Sequence, residues 1–254
     1  MKKYIMKNKK LVALGAMFFL MLWFLLYKVI DNKLLLPSPF EVFIEVKYII
    51  TEKTFIHVIL GTLKRSFWSF FIALSFAIVL SVFSILNQVI YNFLIPLIEL
   101  FKAIPTMTIV ILALVWLNND KAPILMGALA VFPILYEGLL KNIISTDKKI
   151  IHMLDVYNVQ KIDVVRYVYI PKIFEGLGKI FSSTLGLTFK IVVGGEILAA
   201  PNNSIGSEIQ LQKVYLNTTG VFTWIVIIVI LTIIVDYIIS SFGKFRGKKS
   251  WMKF

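Results

Sequence analysis

Six stretches of this chain stay apolar long enough to cross a lipid bilayer, and that decides what it can fold into. A helix crossing the roughly 30 Å hydrocarbon layer needs about 17–25 mostly apolar residues. Residues 11–30, 66–86, 93–117, 124–140, 173–199 and 221–241 meet that requirement. Hydrocarbon supplies no water to the backbone, so each such stretch must be a helix. The expected fold class is all-α: a polytopic membrane protein with six transmembrane helices. With 59% hydrophobic and only 16% charged residues, a water-facing surface cannot be covered. The absence of cysteine excludes a disulfide scaffold, thiolate metal sites and cysteine nucleophiles. The first stretch is uninterrupted and lacks a small-residue cleavage site, so it reads as an uncleaved anchor.

The net charge of +13 matters by its placement. Lys2, Lys3, Lys7, Lys9 and Lys10 sit in one tail, and Lys244, Arg246, Lys248, Lys249 and Lys253 in the other. Six more basic residues lie between Lys141 and Lys172. Six spans put both tails and this loop on one side, which the excess of Lys and Arg makes the cytoplasm. The expected location is a prokaryotic cell membrane, with both termini cytoplasmic. Nothing resembles a groove-reading module, so nucleic acid is not an expected partner; membrane lipids are.

Four regions follow. Residues 1–30 are a basic tail and the first span. Residues 31–60 are an extracytoplasmic segment in which Pro37, Ser38 and Pro39 precede an amphipathic helix carrying Phe40, Phe43, Ile44 and Tyr48. Residues 61–242 hold the other five spans and the loop 147–172, and 243–254 are the second basic tail.

That loop reads DKKIIHMLDVYNVQKIDVVRYVYIPK, too apolar for a solvated connection. Ile150, Ile151 and Leu154 fall on one helical face. Asn158 interrupts, being one of the few residue types that accept a left-handed backbone. Val159, Ile162, Val165 and Val168 begin a second helix, and Pro171 leads into the fifth span. An apolar helix pair beneath a membrane calls for a soluble partner with a groove.

Here the chain resembles the permease subunit of binding-protein-dependent ATP-binding-cassette importers, in particular the nitrate/sulfonate/taurine branch. Their cytoplasmic loop has the form Glu-Ala-Ala, three residues, Gly, nine residues, Ile-x-Leu-Pro. Asn158 takes the glycine position, and Val168, Ile170 and Pro171 the closing motif. His152, Met153 and Leu154 stand where Glu-Ala-Ala would be, a departure in the docking surface. LLLPSPFEVF (34–43), GTLKRSFWSF (61–70), the 94–117 segment with Lys102, Pro105 and Trp116, FPILYEGL (132–139) and GGEILAAPNNSIGSEI (194–209) also match in outline. The resemblance covers about residues 30–245.

It implies a type I importer permease fold with a cytoplasmic coupling helix. It also implies a homodimer, a cytoplasmic ATP-binding subunit gripping His152, Met153, Leu154, Asn158, Val159, Val168, Ile170 and Pro171, and an extracytoplasmic substrate-binding protein. The chain itself would be no enzyme and would hold no cofactor; ATP hydrolysis would belong to the partner. The solute would be small, nitrate/sulfonate/taurine-like or a vitamin precursor.

Ionisable residues inside spans are candidates for the translocation path, because burying a charge in lipid is costly. These are Glu137, Lys190, Glu196 and Asp236. Glu99 and Lys102 read instead as a local ion pair. His57 and His152 are isolated, so no metal site or catalytic group is expected. The alternative function is a stand-alone secondary transporter, although the repeated halves of such proteins are not visible here.

Overall fold

The computed structural model describes residues 9–247. Lys2, Lys3, Lys7, Lys248, Lys249 and Lys253 of the basic tails lie outside the described residues. Within them the chain is helical and divides into two compact units. The smaller joins the residues up to Phe55 to Glu208–Val229; the larger joins Ile56–Ser207 to the residues from Ile230 onward.

The smaller unit contains α1 (Lys9–Ile30) and α2 (Pro39–Thr51). α1 is apolar all round, as a helix surrounded by lipid must be. It stops at Asp31, whose left-handed backbone (φ 44°) closes the last turn onto the Tyr27 carbonyl at 3.0 Å. The Trp23 indole donates to the Pro37 carbonyl at 3.1 Å and stacks on Phe222. α2 starts from a complete capping box: Ser38 Oγ accepts from the Glu41 amide, and Glu41 accepts from the Ser38 amide. Pro39, lacking an amide hydrogen, occupies the first turn where none is needed. The hydrogen bond from Lys33, at 2.6 Å, holds the Glu41 carboxyl below the usual carboxylate range. Phe40, Phe43, Ile44 and Tyr48 are exposed along α2, while Val42 and Ile49 are buried.

The larger unit is built from α3 (Phe55–Leu86), α4 (Gln88–Ala103), α5 (Thr106–Trp116), α6 (Ala122–Ile144), α7 (Lys148–Val156), α8 (Lys161–Val164) and α9 (Ile170–Ala199). α10 (Ile205–Val214) and α11 (Thr218–Gly247) each have residues assigned to both units. α6 and α9 are the central pair, packed with α3 around Phe70, Val131, Leu135, Leu139, Ile143 and Ile173. Missing side chains let them approach. At Gly127 a β-carbon would stand 2.3 Å from the Ser69 hydroxyl and 2.8 Å from Val192; at Gly176 one would stand 2.9 Å from Asn142. α9 runs unbroken through Gly194 and Gly195.

The stretch read as a third straight span is instead two helices, α4 and α5, meeting at 99°. Pro105 causes the break. It offers no amide to continue α4, and it forces Ile104 into extended backbone (φ −74°, ψ 124°). Lys102, beside the bend, meets Glu137 of α6, near the end where Asn142 bonds the Lys172 carbonyl. Asp120, just past α5, meets Arg65 beside Glu196. Lys172 and Glu196 stand at opposite ends of α9, about 36 Å apart at the helical rise per residue. α5, about 16 Å long, lies toward the Glu196 end, where Met107 of its first turn already adjoins Gly194. Five helices are long and apolar enough to cross a membrane, and the bent pair makes a sixth of the expected crossings if it counts as one broken span.

Candidate functional site

The 147–172 loop folds as a short helix, a tight turn and a helical run into α9. Asp147 caps α7 by accepting from the Lys149 amide at 2.9 Å. Asn158 sits at φ 53°, in the left-handed region. There it lets the Val159 amide turn back onto the Leu154 carbonyl at 3.0 Å and close α7. α8 then continues through one widened turn, Val165–Tyr169, into α9. Pro171 explains the widening: its ring would clash with the carbonyl four residues back in a regular helix, and a π turn moves that carbonyl away. From Lys161 to Ala199 the axis is one helix, about 58 Å long.

The apolar side chains of this loop face outward. Met153, Tyr157 and Ile162 are 50%, 76% and 71% exposed, and Val159 and Ile170 are also open. Leu154 and Val168 are half-buried, and Pro171 is exposed. His152 lines a cavity of about 330 Å³ with Ile85, Ile143, Ile151, Asp155 and Tyr169. Six of the eight expected loop residues are thus exposed, in the connection between α6 and α9.

The expected path residues do not form one cluster. Glu137 pairs with Lys102, which also holds Glu99 at 3.1 Å. Lys190 is exposed, and among the described residues it has no carboxylate partner. Asp236 lies on α11, with its side chain outside what the structure describes. Glu196 is fully buried, at 0% exposure.

Glu196 is the centre of an arrangement that the sequence did not disclose. Its carboxylate accepts from Arg65 Nη1 at 3.0 Å, Thr62 Oγ1 at 2.9 Å and the Gly206 amide at 3.2 Å. Arg65 also donates to Asp120 at 2.6 Å and to the carbonyls of Asn202 and Asn203 at 2.7 and 3.3 Å. Thr62 in turn accepts from the Ile205 amide at 3.0 Å. Two left-handed residues, Ala200 (φ 46°) and Asn203 (φ 50°), fold the chain after α9 back over this pair. One signal was available. Thr62, Arg65, Ser66 and Ser69 recur at positions i, i+3, i+4 and i+7, a polar stripe on an otherwise apolar helix, and all four are buried.

Gly206 is essential to that closure. A β-carbon there would stand 2.3 Å from the Glu196 side chain and 2.5 Å from the Ile197 backbone amide. Gly206→Ala must therefore displace backbone, and a loss of about 2–4 kcal/mol is expected. Thermal unfolding in detergent checks this; an unchanged midpoint would count against the closure.

No family model matches the chain. It is 23% identical over 220 residues to a protein of Brucella melitensis biotype 1 named probable ABC transporter permease, covering 86% of this chain and 88% of that one. A Brucella abortus (strain 2308) protein of the same name is also 23% identical, with 86% and 87% covered. Among solved structures, the inward-facing MetNI methionine ABC transporter superposes with a TM-score of 0.63 at 17% identity, over 74% of this chain and 94% of its own. The chain therefore has homologues named as ABC transporter permeases and the fold of an ABC importer permease, as the motifs suggested.

Proposed function

We propose that this chain is the membrane subunit of an ATP-driven importer for a small solute and works as a homodimer. A cytoplasmic ATP-binding subunit engages the 147–172 loop, and an extracytoplasmic binding protein delivers the solute. Both termini are cytoplasmic, on the side of the loop. The chain carries no catalytic group. Its task is to convert movement of the loop into movement of the helices around the path.

The observation that carries this reading is the outward-facing apolar surface of α7 and the Asn158 turn, in helical continuity with α9 through the π turn. Such a surface needs a cover, and continuity gives any push on it a stiff route into the membrane. Glu137 and Lys190, exposed on α6 and α9, are path residues in this reading, and Asp236 of α11 is a third. Glu196 acts from behind, holding the end of α9. The solute is of the nitrate, sulfonate, taurine or vitamin-precursor kind, selected mainly by the binding protein.

A photocrosslinking residue at Asn158 in living cells tests the proposal. The expected captured species is an ATPase subunit, identified by mass spectrometry. Solute uptake by the purified chain alone in liposomes, driven by an ion gradient without ATP, would overturn the proposal in favour of a secondary transporter.

A further inference from the structure

We propose that the groove between α3 and α6 is a phospholipid site: an anionic headgroup rests on Lys64 and Lys121, and the lipid's acyl chain lies along Trp68. The proposal needs only that the chain spans a membrane, and it stands apart from what the chain transports.

The starting point is the register of the two helices. Ser69 of α3 faces Gly127 of α6, where a β-carbon would come within 2.3 Å of the serine hydroxyl, and Ser84 shares a hydrogen bond with Tyr136 at 2.8 Å. α3 and α6 therefore run side by side in one direction. Lys64 precedes Ser69 by five residues and Lys121 precedes Gly127 by six, about 8 and 9 Å along the axes. The two lysines thus stand at nearly one level, at the end of α6 away from the 147–172 loop. The apolar stretches 66–86 and 124–140 begin directly beyond them, so this level is the edge of the hydrocarbon. Arg65 and Asp120, their immediate neighbours in sequence, are joined at 2.6 Å across the same gap.

Below that level the groove is apolar. Trp68 and Ile72 of α3, with Leu117, Ile124 and Leu125, line a cavity of about 290 Å³ that Lys121 also borders. Lys64 lies one turn before Trp68 on the same face of α3, since residues four apart share a face. Trp68 and Ile72 are 52% and 40% exposed within this chain, so the groove is open on one side. Both lysines are exposed, and among the described residues neither ammonium has a carboxylate partner. Arg65 is shared between Glu196 and Asp120; with three cations against two carboxylates, this corner stays positive. Cations at the edge, a tryptophan at the boundary and an apolar trough beneath match a phospholipid part by part: phosphate, ester region and acyl chain. An anionic headgroup is favoured over a zwitterionic one, because the carboxylates of the corner are already engaged by Arg65 and none is left for a choline. A hydrated solute would meet an almost wholly apolar wall. A second copy meeting this face about a two-fold axis would set its own lysines against the first pair.

The full-length chain is reconstituted into vesicles of phosphatidylcholine and phosphatidylglycerol, with bromine on the acyl chains of one lipid or the other. Bromine quenches tryptophan on contact, and the Trp68 share of the signal is the part lost in Trp68→Phe. Brominated phosphatidylglycerol is expected to half-quench that share at a roughly tenfold lower mole fraction than brominated phosphatidylcholine. Lys64→Gln with Lys121→Gln should bring the two lipids to parity, and Lys64→Arg with Lys121→Arg should keep the preference, which also controls for folding. The phosphatidylglycerol retained per chain after extraction from the same vesicles, counted by mass spectrometry, should fall in the glutamine variant and not in the arginine one, a readout independent of Trp68→Phe. Four results would overturn the proposal: parity in the unsubstituted chain; a preference that survives the glutamine pair; quenching of Trp68 by aqueous acrylamide but by neither brominated lipid, showing a water-filled passage; or quenching by none of the three, showing a face covered by protein.

Discussion

Glu196→Ala is expected to destabilise the larger unit by about 3–5 kcal/mol, lowering its unfolding midpoint in detergent by on the order of 10 °C. The loss does not come from the missing attraction alone. Arg65 would remain buried beside the Asn202 and Asn203 carbonyls, with only exposed Asp120 to balance it. Breaking one side of a buried pair leaves a desolvated charge, and that dominates the cost. Arg65→Ala should be comparable, because it strands the Glu196 carboxylate on Thr62 and the Gly206 amide. Arg65→Lys should not rescue, since a single ammonium cannot span two carboxylates and two carbonyls as the planar guanidinium does. Replacing both partners, as Arg65→Met with Glu196→Leu, should cost less than the sum of the singles. Asp120→Asn should cost less than about 1 kcal/mol, because Asp120 is 58% exposed on its side chain and the pair is screened. Additive losses in the double variant would show that Arg65 and Glu196 are not energetically coupled.

The largest functional effect is expected at the Asn158 turn. Asn158→Val places a β-branched residue at φ 53°, where L side chains are strained by about 1–3 kcal/mol. The turn should relax to an extended backbone and swing α7 away from α8. ATP-driven uptake should fall at least tenfold in vesicles, while the amount of chain in the membrane stays near normal. Asn158→Gly, free of that strain, should retain uptake. Met153→Asp provides a complementary probe: its exposed side chain leaves α7 intact but puts a charge in the docking surface, where a central apolar contact can carry 2 kcal/mol or more. Normal uptake in both Asn158→Val and Met153→Asp would remove this loop from the coupling route.

What was legible in the sequence was what depends on neighbours along the chain. Apolar length predicted the helices, and Ser38 with Pro39 marked the start of α2. Asn158 marked the turn after α7, because left-handed backbone limits which residues can stand there. Pro105 carried the 99° bend equally plainly, yet the apolar run on both sides of it masked the break. Pairings across distance were not legible. Glu196 stands 131 residues from Arg65, and nothing local distinguishes a carboxylate locked against a guanidinium from one that meets a solute. The polar stripe from Thr62 to Ser69 hinted at an inward-facing partner without naming it. Lys190 looked the same as Glu196 in sequence, an ionisable residue in an apolar span; their surroundings divide them.

α6 and α9 touch closely at two well-separated levels, Gly127 against Val192 and Gly176 against Asn142, and the loop with its Asn158 turn is the connection between them. Two rods splinted together twice along their length cannot shear or bow independently. A knob set where they join would, in the proposed importer, work as a crank: displacing it would turn both rods as one piece, with little of the stroke lost to bending before the far mouth.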